Sequence, residues 1–250
     1  MWLLPSEAGL VQTLRTVVCI DGFNLYYARL TGTPYKWLDL WTLMDRILAS
    51  AYPDARAQIQ AVKFFTAPVL ARYASDPASE HRQKSYHNAL KFAPSGSVEV
   101  IQGHHIQEQK RGRLLDETEH PELVRVAVLE EKKTDVNLGL NLYAAALAPD
   151  VDQVVLVSND TDFVPALEHI KRDCPNVVRG VIFPVPDAAT GKRMATSLDE
   201  LASWTRRHIS EDELAKSQLP RSVLNRKKKA IVRPEKWEPP PKPSDGDADS

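Results

Sequence analysis

The hydrophobic positions of this 250-residue chain fall into short unbroken runs, separated by longer stretches with helical spacing. Thr16-Val17-Val18-Cys19-Ile20 shows no polar alternation and is rich in β-branched residues, which predicts a strand buried on both faces. Val154-Val155-Leu156-Val157 has the same character, and the strand it marks runs to Ser158. Further strands are predicted over 59–66, 98–102, 124–129 and 177–183, the last of these completing the sheet. Between them apolar residues recur three and four apart. Asp39 is a good N-cap residue, and Trp41, Leu43, Met44, Ile47 and Leu48 follow it at helical spacing. Other helices are predicted to begin at Leu25, to cover 79–92, 135–147 (with Thr134 as cap) and 163–172, and to run from Thr196 through Leu201 and Trp204. Strands alternating with helices imply an α/β fold, a parallel sheet covered on both faces.

Two stretches break this pattern. Residues 103–122 hold His104-His105 and Lys110-Arg111-Gly112-Arg113 without clear periodicity, and read as a long functional or disordered loop. After Leu219 come the basic run Arg226-Lys227-Lys228-Lys229, then Pro239-Pro240-Pro241-Lys242-Pro243, then an end rich in Ser, Asp and Gly. The chain thus divides into a leader (1–15), one domain (16–219) and a basic, proline-rich, disordered tail (220–250).

Charge sharpens that division. The net charge of −1 conceals +3 over residues 220–250 and −4 over 1–219. An acidic body with a basic end suits a metal site acting on a polyanion, although a merely solvated tail accounts for the run equally well. Cys19 and Cys174 lack metal-ligand spacing and read as reduced core residues. The opening residues lack the pattern of a signal peptide, and no apolar run approaches the roughly 20 residues that span a bilayer. A cytoplasmic protein is expected.

The candidate chemistry lies in four aspartates. Asp21 closes the first apolar run, Asp160 and Asp162 follow the second, and Asp135 opens a helix. Open α/β sheets carry their ligands at the carboxyl ends of their strands. Carboxylates gathered there repel one another unless a cation neutralises them. A hard divalent ion, Mg²⁺ or Mn²⁺, takes such oxygen ligands and supports phosphodiester hydrolysis.

Each motif also has a purely structural reading. Asp21-Gly22-Phe23-Asn24 is a serviceable strand–turn–helix cap, in which Asn24 either donates to a phosphate or orients Asp21. In Ser158-Asn159-Asp160-Thr161-Asp162 a cap requires one aspartate, so the second is surplus. The hydroxyls of Ser158 and Thr161 can brace the pair or hold a metal-bound water. Asp135 alone is what a helix N-terminus favours, and Glu130 and Glu131 are near enough to be alternative ligands. Glycine-rich phosphate loops, dinucleotide fingerprints, a nucleophile elbow and zinc-ligand spacing are all absent, so His104-His105 reads as a polar loop pair. Phe23 stands where an aspartate-first phosphatase would carry its second aspartate.

Three segments together resemble the NYN domain, the PIN-like nuclease family that includes the LabA-like bacterial proteins. They are Val18-Cys19-Ile20-Asp21-Gly22-Phe23-Asn24-Leu25-Tyr26, Lys132-Lys133-Thr134-Asp135-Val136-Asn137-Leu138 and Val157-Ser158-Asn159-Asp160-Thr161-Asp162-Phe163. The resemblance covers about residues 16–205, and Leu198-Asp199-Glu200-Leu201-Ala202 looks like the closing helix of LabA-like members. It implies a Rossmann-like three-layer α/β/α sandwich and Mg²⁺- or Mn²⁺-dependent cleavage of single-stranded or structured RNA. Asp21, Asp135, Asp160 and Asp162 carry over as catalytic and metal-binding residues, with Asn24 as their polar partner. On that reading Asn24 and Ser158 fix ligands or substrate, Lys132 faces a phosphate, and Arg111, Arg113 and the tail supply strand affinity. Two departures stand out: Asn141, where many LabA-like relatives carry Asp, and Asn159, where Gly is frequent. The rival expectation is a binding module of the same fold that hydrolyses nothing. No membrane partner is expected, and a homo-oligomer is allowed.

Overall fold

The computed structural model describes residues 12–51, 55–113, 123–187 and 194–238, and in it the apolar runs become adjacent strands of one parallel sheet. The strands are β1 (Gln12–Asp21), β2 (Ala55–Thr66), β3 (Val98–Gln102), β6 (Gln153–Val157), β7 (Val178–Ile182) and β8 (Trp204–Arg206). Their spatial order is β3-β2-β1-β6-β7-β8, all neighbours parallel. Side chains alternate between faces, as the pleat requires. Val18, Ile20, Val155 and Val157 enter the layer formed with helices α2 (Leu40–Ala51) and α3 (Ser79–Lys91). Val17, Cys19, Val154 and Leu156 enter the opposite layer, against α4 (Thr134–Leu147), α5 (Val164–Asp173) and α6 (Thr196–Leu201). Val18, Cys19 and Ile20 are all fully buried. Truncating such a core residue to alanine typically costs about 2–5 kcal/mol. The α/β/α sandwich expected of the sequence is therefore the fold.

This strand order reverses direction between β1 and β6. At such a switch point the loops leaving the two strands part company, and a crevice opens outside their carboxyl ends. Asp21 ends β1, and Ser158 follows β6. Among the described residues no helix is long and apolar enough to cross a membrane.

The structure departs from the pattern reading in three places. Half of the irregular stretch is a strand, β4 (His104–Arg113), paired antiparallel with β5 (Leu123–Lys132) in a separate two-stranded sheet. Ile106 is the single large apolar residue in β4, so period-two alternation had nothing to register. His104 and His105 are accordingly strand residues rather than loop residues, and residues 114–122 lie outside the described set. Next, Trp204 is not part of the preceding helix but begins β8, a further strand beyond β7. A Cβ at Gly180 would collide with the Trp204 ring, so the indole lies directly over that glycine. Its Nε1 also donates to Gln153 Oε1 at 2.9 Å.

The third departure concerns the end of the chain. Residues placed in a structureless tail form a hairpin, β9 (Ser222–Leu224) with β10 (Ala230–Val232), followed by a 3₁₀ turn, Glu235–Trp237. Val223 is 2% exposed, and Trp237 packs against Trp37 and Tyr86. The Trp37 indole donates to the Pro220 carbonyl at 2.8 Å. Arg226 to Lys229 are the exposed hairpin turn, organised by Asn225, whose side chain accepts from the Lys227 and Lys229 amides. Residues 1–11 and 239–250, most of the expected leader and the far tail, lie outside the described set.

Candidate functional site

Two strand ends and one helix start build the acidic edge. Asp21 continues the parity of Val17 and Cys19, so its side chain lies on the α4 side of the sheet, and it is 4% exposed. Its Oδ1 accepts the Asn24 amide at 2.9 Å, capping α1 (Gly22–Leu25), and its Oδ2 accepts the Ser158 hydroxyl at 2.9 Å. Gly22 must be a glycine here, because a Cβ would stand 2.6 Å from the Phe65 carbonyl. Burial pushes the Asp21 carboxyl above its ordinary value, and its hydrogen bonds only partly offset this.

Ser158 is fully buried, and its oxygen also accepts the Asp160 amide at 3.1 Å. It therefore links the two strand ends and, being buried, can fix Asp21 but offers no surface to substrate. Asp160 Oδ1 caps the 3₁₀ turn Thr161–Phe163 by accepting the Asp162 amide at 3.0 Å. The structural need for a cap is thus met by Asp160, while Asp162 stays exposed. Asn24 takes part in a second brace: its Oδ1 accepts the Asn159 amide at 3.2 Å, and Asn159 Oδ1 accepts the Ala195 amide at 2.8 Å.

Asp135 comes from the other direction, at the start of α4. The chain enters that helix through Lys133 with φ +77°, a left-handed backbone that side-chain-bearing residues adopt at a cost. Thr134 does not cap α4. The Glu131 carboxylate takes both the Thr134 amide and its hydroxyl. Burial, then the charges of Asp21, Glu131, Asp160 and Asp162, push the Asp135 carboxyl up to about 6. The structure thus brings the four aspartates into one electrostatic neighbourhood. Among the described residues no group of three or more His, Cys, Asp or Glu side chains is placed to hold a metal ion by itself.

The basic residues are distributed differently from expectation. Lys132 pairs with Glu130, which also pairs with Lys110, so its charge is already matched. Arg111 is exposed and lies directly across the hairpin from Arg125. Arg113 ends β4, and its side chain is outside the described set. Asn141 accepts from the Lys63 ammonium at 2.9 Å and donates to the Asn137 carbonyl. Lys63 pairs with Cys19, two positions before Asp21 along β1, so Asn141 is committed below the acidic edge.

Pattern reading missed the braces through Asn24 and Asn159, the Glu131 cap and the Lys63–Asn141 pair, since all four join residues distant in role or sequence. It also passed over Phe23, Tyr26 and Tyr27 as an ordinary helix start. Three aromatics soon after Asp21 were the available signal. They lie on α1 and the π-helical turn Tyr26–Leu30 that continues it. They border a cavity of about 460 Å³ that Gly22 also lines. Another cavity, of about 530 Å³, lies by Thr13 and Arg56 near the starts of β1 and β2, at the edge opposite the aspartates.

A doubly wound parallel sheet with an acidic crevice at its switch point is the frame of a PIN-like nuclease domain. The pattern that defines the NYN domain matches residues 15–200, and the chain belongs to that family, which points to the nuclease superfamily and implies RNA as the bound substrate. The chain is 37% identical over 243 residues to "6-hydroxy-3-succinoylpyridine 3-monooxygenase HspA" of Pseudomonas putida (strain DSM 28022 / S16), covering 90% of this chain and 76% of that one. A crystal structure of a protein of unknown function from Vibrio parahaemolyticus RIMD 2210633 aligns with a TM-score of 0.49 at 18% identity, over 82% of this chain and 98% of the other.

Proposed function

We propose that this protein is a divalent-metal-dependent ribonuclease acting at the crevice outside β1 and β6. The observation that supports the reading is that Asp21, Asp135, Asp160 and Asp162, from two strand ends and one helix start, share one electrostatic neighbourhood at the carboxyl edge. These would hold the metal. The donor set suits a hard cation chemically: every group is a carboxylate oxygen, the charges repel, Asp162 is exposed and Asp135 is only partly screened from solvent, leaving room for the waters that Mg²⁺ retains. When bound, Mg²⁺ or Mn²⁺ supplies positive charge to polarise a phosphodiester and to favour hydroxide over water beside it.

The chain's own residues supply the positioning. Ser158 fixes Asp21 Oδ2 toward β6, and the Asn24–Asn159 bond holds the β1 turn against the β6 turn. The crevice thereby keeps its width as substrate enters. Arg111, Arg125 and the Arg226–Lys229 turn offer exposed cations to a polyanion outside the acidic edge.

The Pseudomonas relative's name describes oxygenation of a pyridine ring. In this chain the turn after β1 reads Asp21-Gly22-Phe23-Asn24, in place of a glycine-rich dinucleotide turn, and that favours phosphodiester hydrolysis. The test is incubation of purified protein with mixed-sequence RNA and Mn²⁺, beside the Asp160→Asn variant. Cleavage by the wild type alone is expected. Undiminished cleavage in EDTA, or by the variant, would sink the proposal. RNA binding without cleavage in any divalent ion would favour the non-hydrolysing module.

A further inference from the structure

The cavity beside the acidic edge has a composition that phosphodiester hydrolysis alone does not call for. Phe23, Tyr26, Tyr27, Phe64, Tyr86 and Trp237 supply its aromatic wall. Tyr27 is 68% exposed and Tyr26 38%, unusual values for large aromatics with a core available beneath them. Phe23 and Tyr27 lie nearly parallel, 10° apart, with ring centroids 6.4 Å apart, and Tyr26 meets Tyr27 edge-on at 5.3 Å. These rings leave an aromatic face open.

Polar features of the cavity point the same way. Lys36, Arg82 and Lys236 line it, with Asp76 as the acid that Arg82 and Lys236 share, so the local balance is positive. Ser79 also lines it. The volume of about 460 Å³ falls within the range of small-ligand sites, roughly 300–1,000 Å³.

The position relates this cavity to the acidic edge. Gly22 immediately follows Asp21, and Thr66, at the end of β2, lines the cavity while its carbonyl lies 3.5 Å from the Thr134 hydroxyl oxygen, beside Asp135. Cavity and acidic edge therefore flank the same strand ends, on opposite faces of the sheet.

We infer that this cavity seats one unpaired nucleobase of an RNA strand, stacked on Tyr27 and Phe23, while the neighbouring phosphate lies at the aspartates. This inference rests on the ribonuclease reading for the nature of the strand. An aromatic face accepts any base but only when the base is unstacked, so the site selects single strands against duplex. The cationic rim then holds the base edge and the sugar-phosphate.

The experiment uses full-length protein in EDTA, so that binding is read without cleavage. The probes are a single-stranded RNA carrying 2-aminopurine, whose emission is quenched by stacking, and the same sequence as a duplex. Wild-type protein is expected to quench the single strand and to bind the duplex at least tenfold more weakly. Tyr27→Leu keeps an apolar side chain but removes the ring plane. It should raise the single-strand Kd about tenfold, as removal of one base–aromatic stack does elsewhere, and leave duplex binding unchanged. Unaltered emission, equal affinity for the two RNAs, or wild-type binding by Tyr27→Leu would each overturn the inference. Cleavage assayed separately in Mn²⁺ distinguishes the two failures. A protein that stacks the base and cuts nothing keeps this site and loses the ribonuclease, whereas one that cuts without ring contact does the reverse.

Discussion

At the scale of single residues, two titrating groups oppose each other. The Asp135 carboxyl is raised from 3.8 to about 6, chiefly by burial and then by its acidic neighbours. A raised carboxyl binds its proton more tightly folded than unfolded, so its contribution is present below pH 3.8 and lost as pH climbs through 6. His87 does the opposite. It is 6% exposed, takes a hydrogen bond between its Nδ1 and Gln102 Nε2, and burial lowers it from 6.5 to about 4. A lowered histidine contributes stability above its unfolded pKa that disappears as pH falls through the folded one, at most about 3 kcal/mol. In the wild type the two trends offset over pH 4–6. In EDTA, Asp135→Asn should raise the melting temperature at pH 7 and expose a steeper acid loss. Melting curves of the two proteins from pH 4 to 7 check this, and superimposable curves would contradict it.

Asn141 gives a second residue-scale prediction. Because its side chain is held by Lys63, an aspartate there gains an ion pair rather than a place at the metal. Asn141→Asp should stabilise the fold by on the order of 1 kcal/mol and shift the Mn²⁺ midpoint for activity less than about twofold. A sharp gain in Mn²⁺ affinity would show that the residue reaches the acidic edge. The four aspartates were readable because strand ends are where this fold gathers ligands. Their orienting partners were not, since Ser158 to Asp21 and Asn159 to Asn24 are pairings across the sheet that only the strand order brings together.

At the scale of elements, the long apolar strands and amphipathic helices were legible, and the short or polar ones were not. β8, β9 and β10 have three residues each, too few for any period to appear, and β4 carries polar residues on both faces. The hairpin β9–β10 also changes what a truncation means. Ending the chain after Glu238 keeps the hairpin and the turn that follows it, and gives the reference stability. Ending it after Leu219 exposes Trp37 and Tyr86 and discards buried Val223, and should lower stability by roughly 3–5 kcal/mol. Urea unfolding of the two truncations distinguishes these outcomes. Equal stability would mean the C-terminal hairpin is only an appendage.

For the whole molecule, the proposed cation and the fold are thermodynamically linked. Relieving repulsion among the aspartates stabilises the state that binds the ion, by about 2.7 kcal/mol at a hundred times its Kd. Mn²⁺ should therefore raise the melting temperature of the wild type and leave Asp21→Asn nearly unmoved. Scanning calorimetry with and without Mn²⁺ checks this, and an equal shift in both proteins would place the ion elsewhere. RNA affinity should fall with salt. Neutralising Arg226 to Lys229 should flatten that slope by about 0.7 for each single-strand phosphate that no longer meets a cation.

Arg111 and Arg125 face one another across the β4–β5 ladder. Like charges directly opposed weaken a strand pair, and in this two-stranded ribbon the Lys110–Glu130 pair is an ionic contact across the ladder that opposes the effect. The ribbon's amides should therefore exchange with deuterium early in free protein, well ahead of those in β1 and β6. An anionic backbone laid between the two guanidinium groups would turn their repulsion into attraction and slow that exchange. The hairpin would then act as a spring that the ligand itself closes, with mass-resolved deuterium uptake reporting occupancy even in a variant unable to cut.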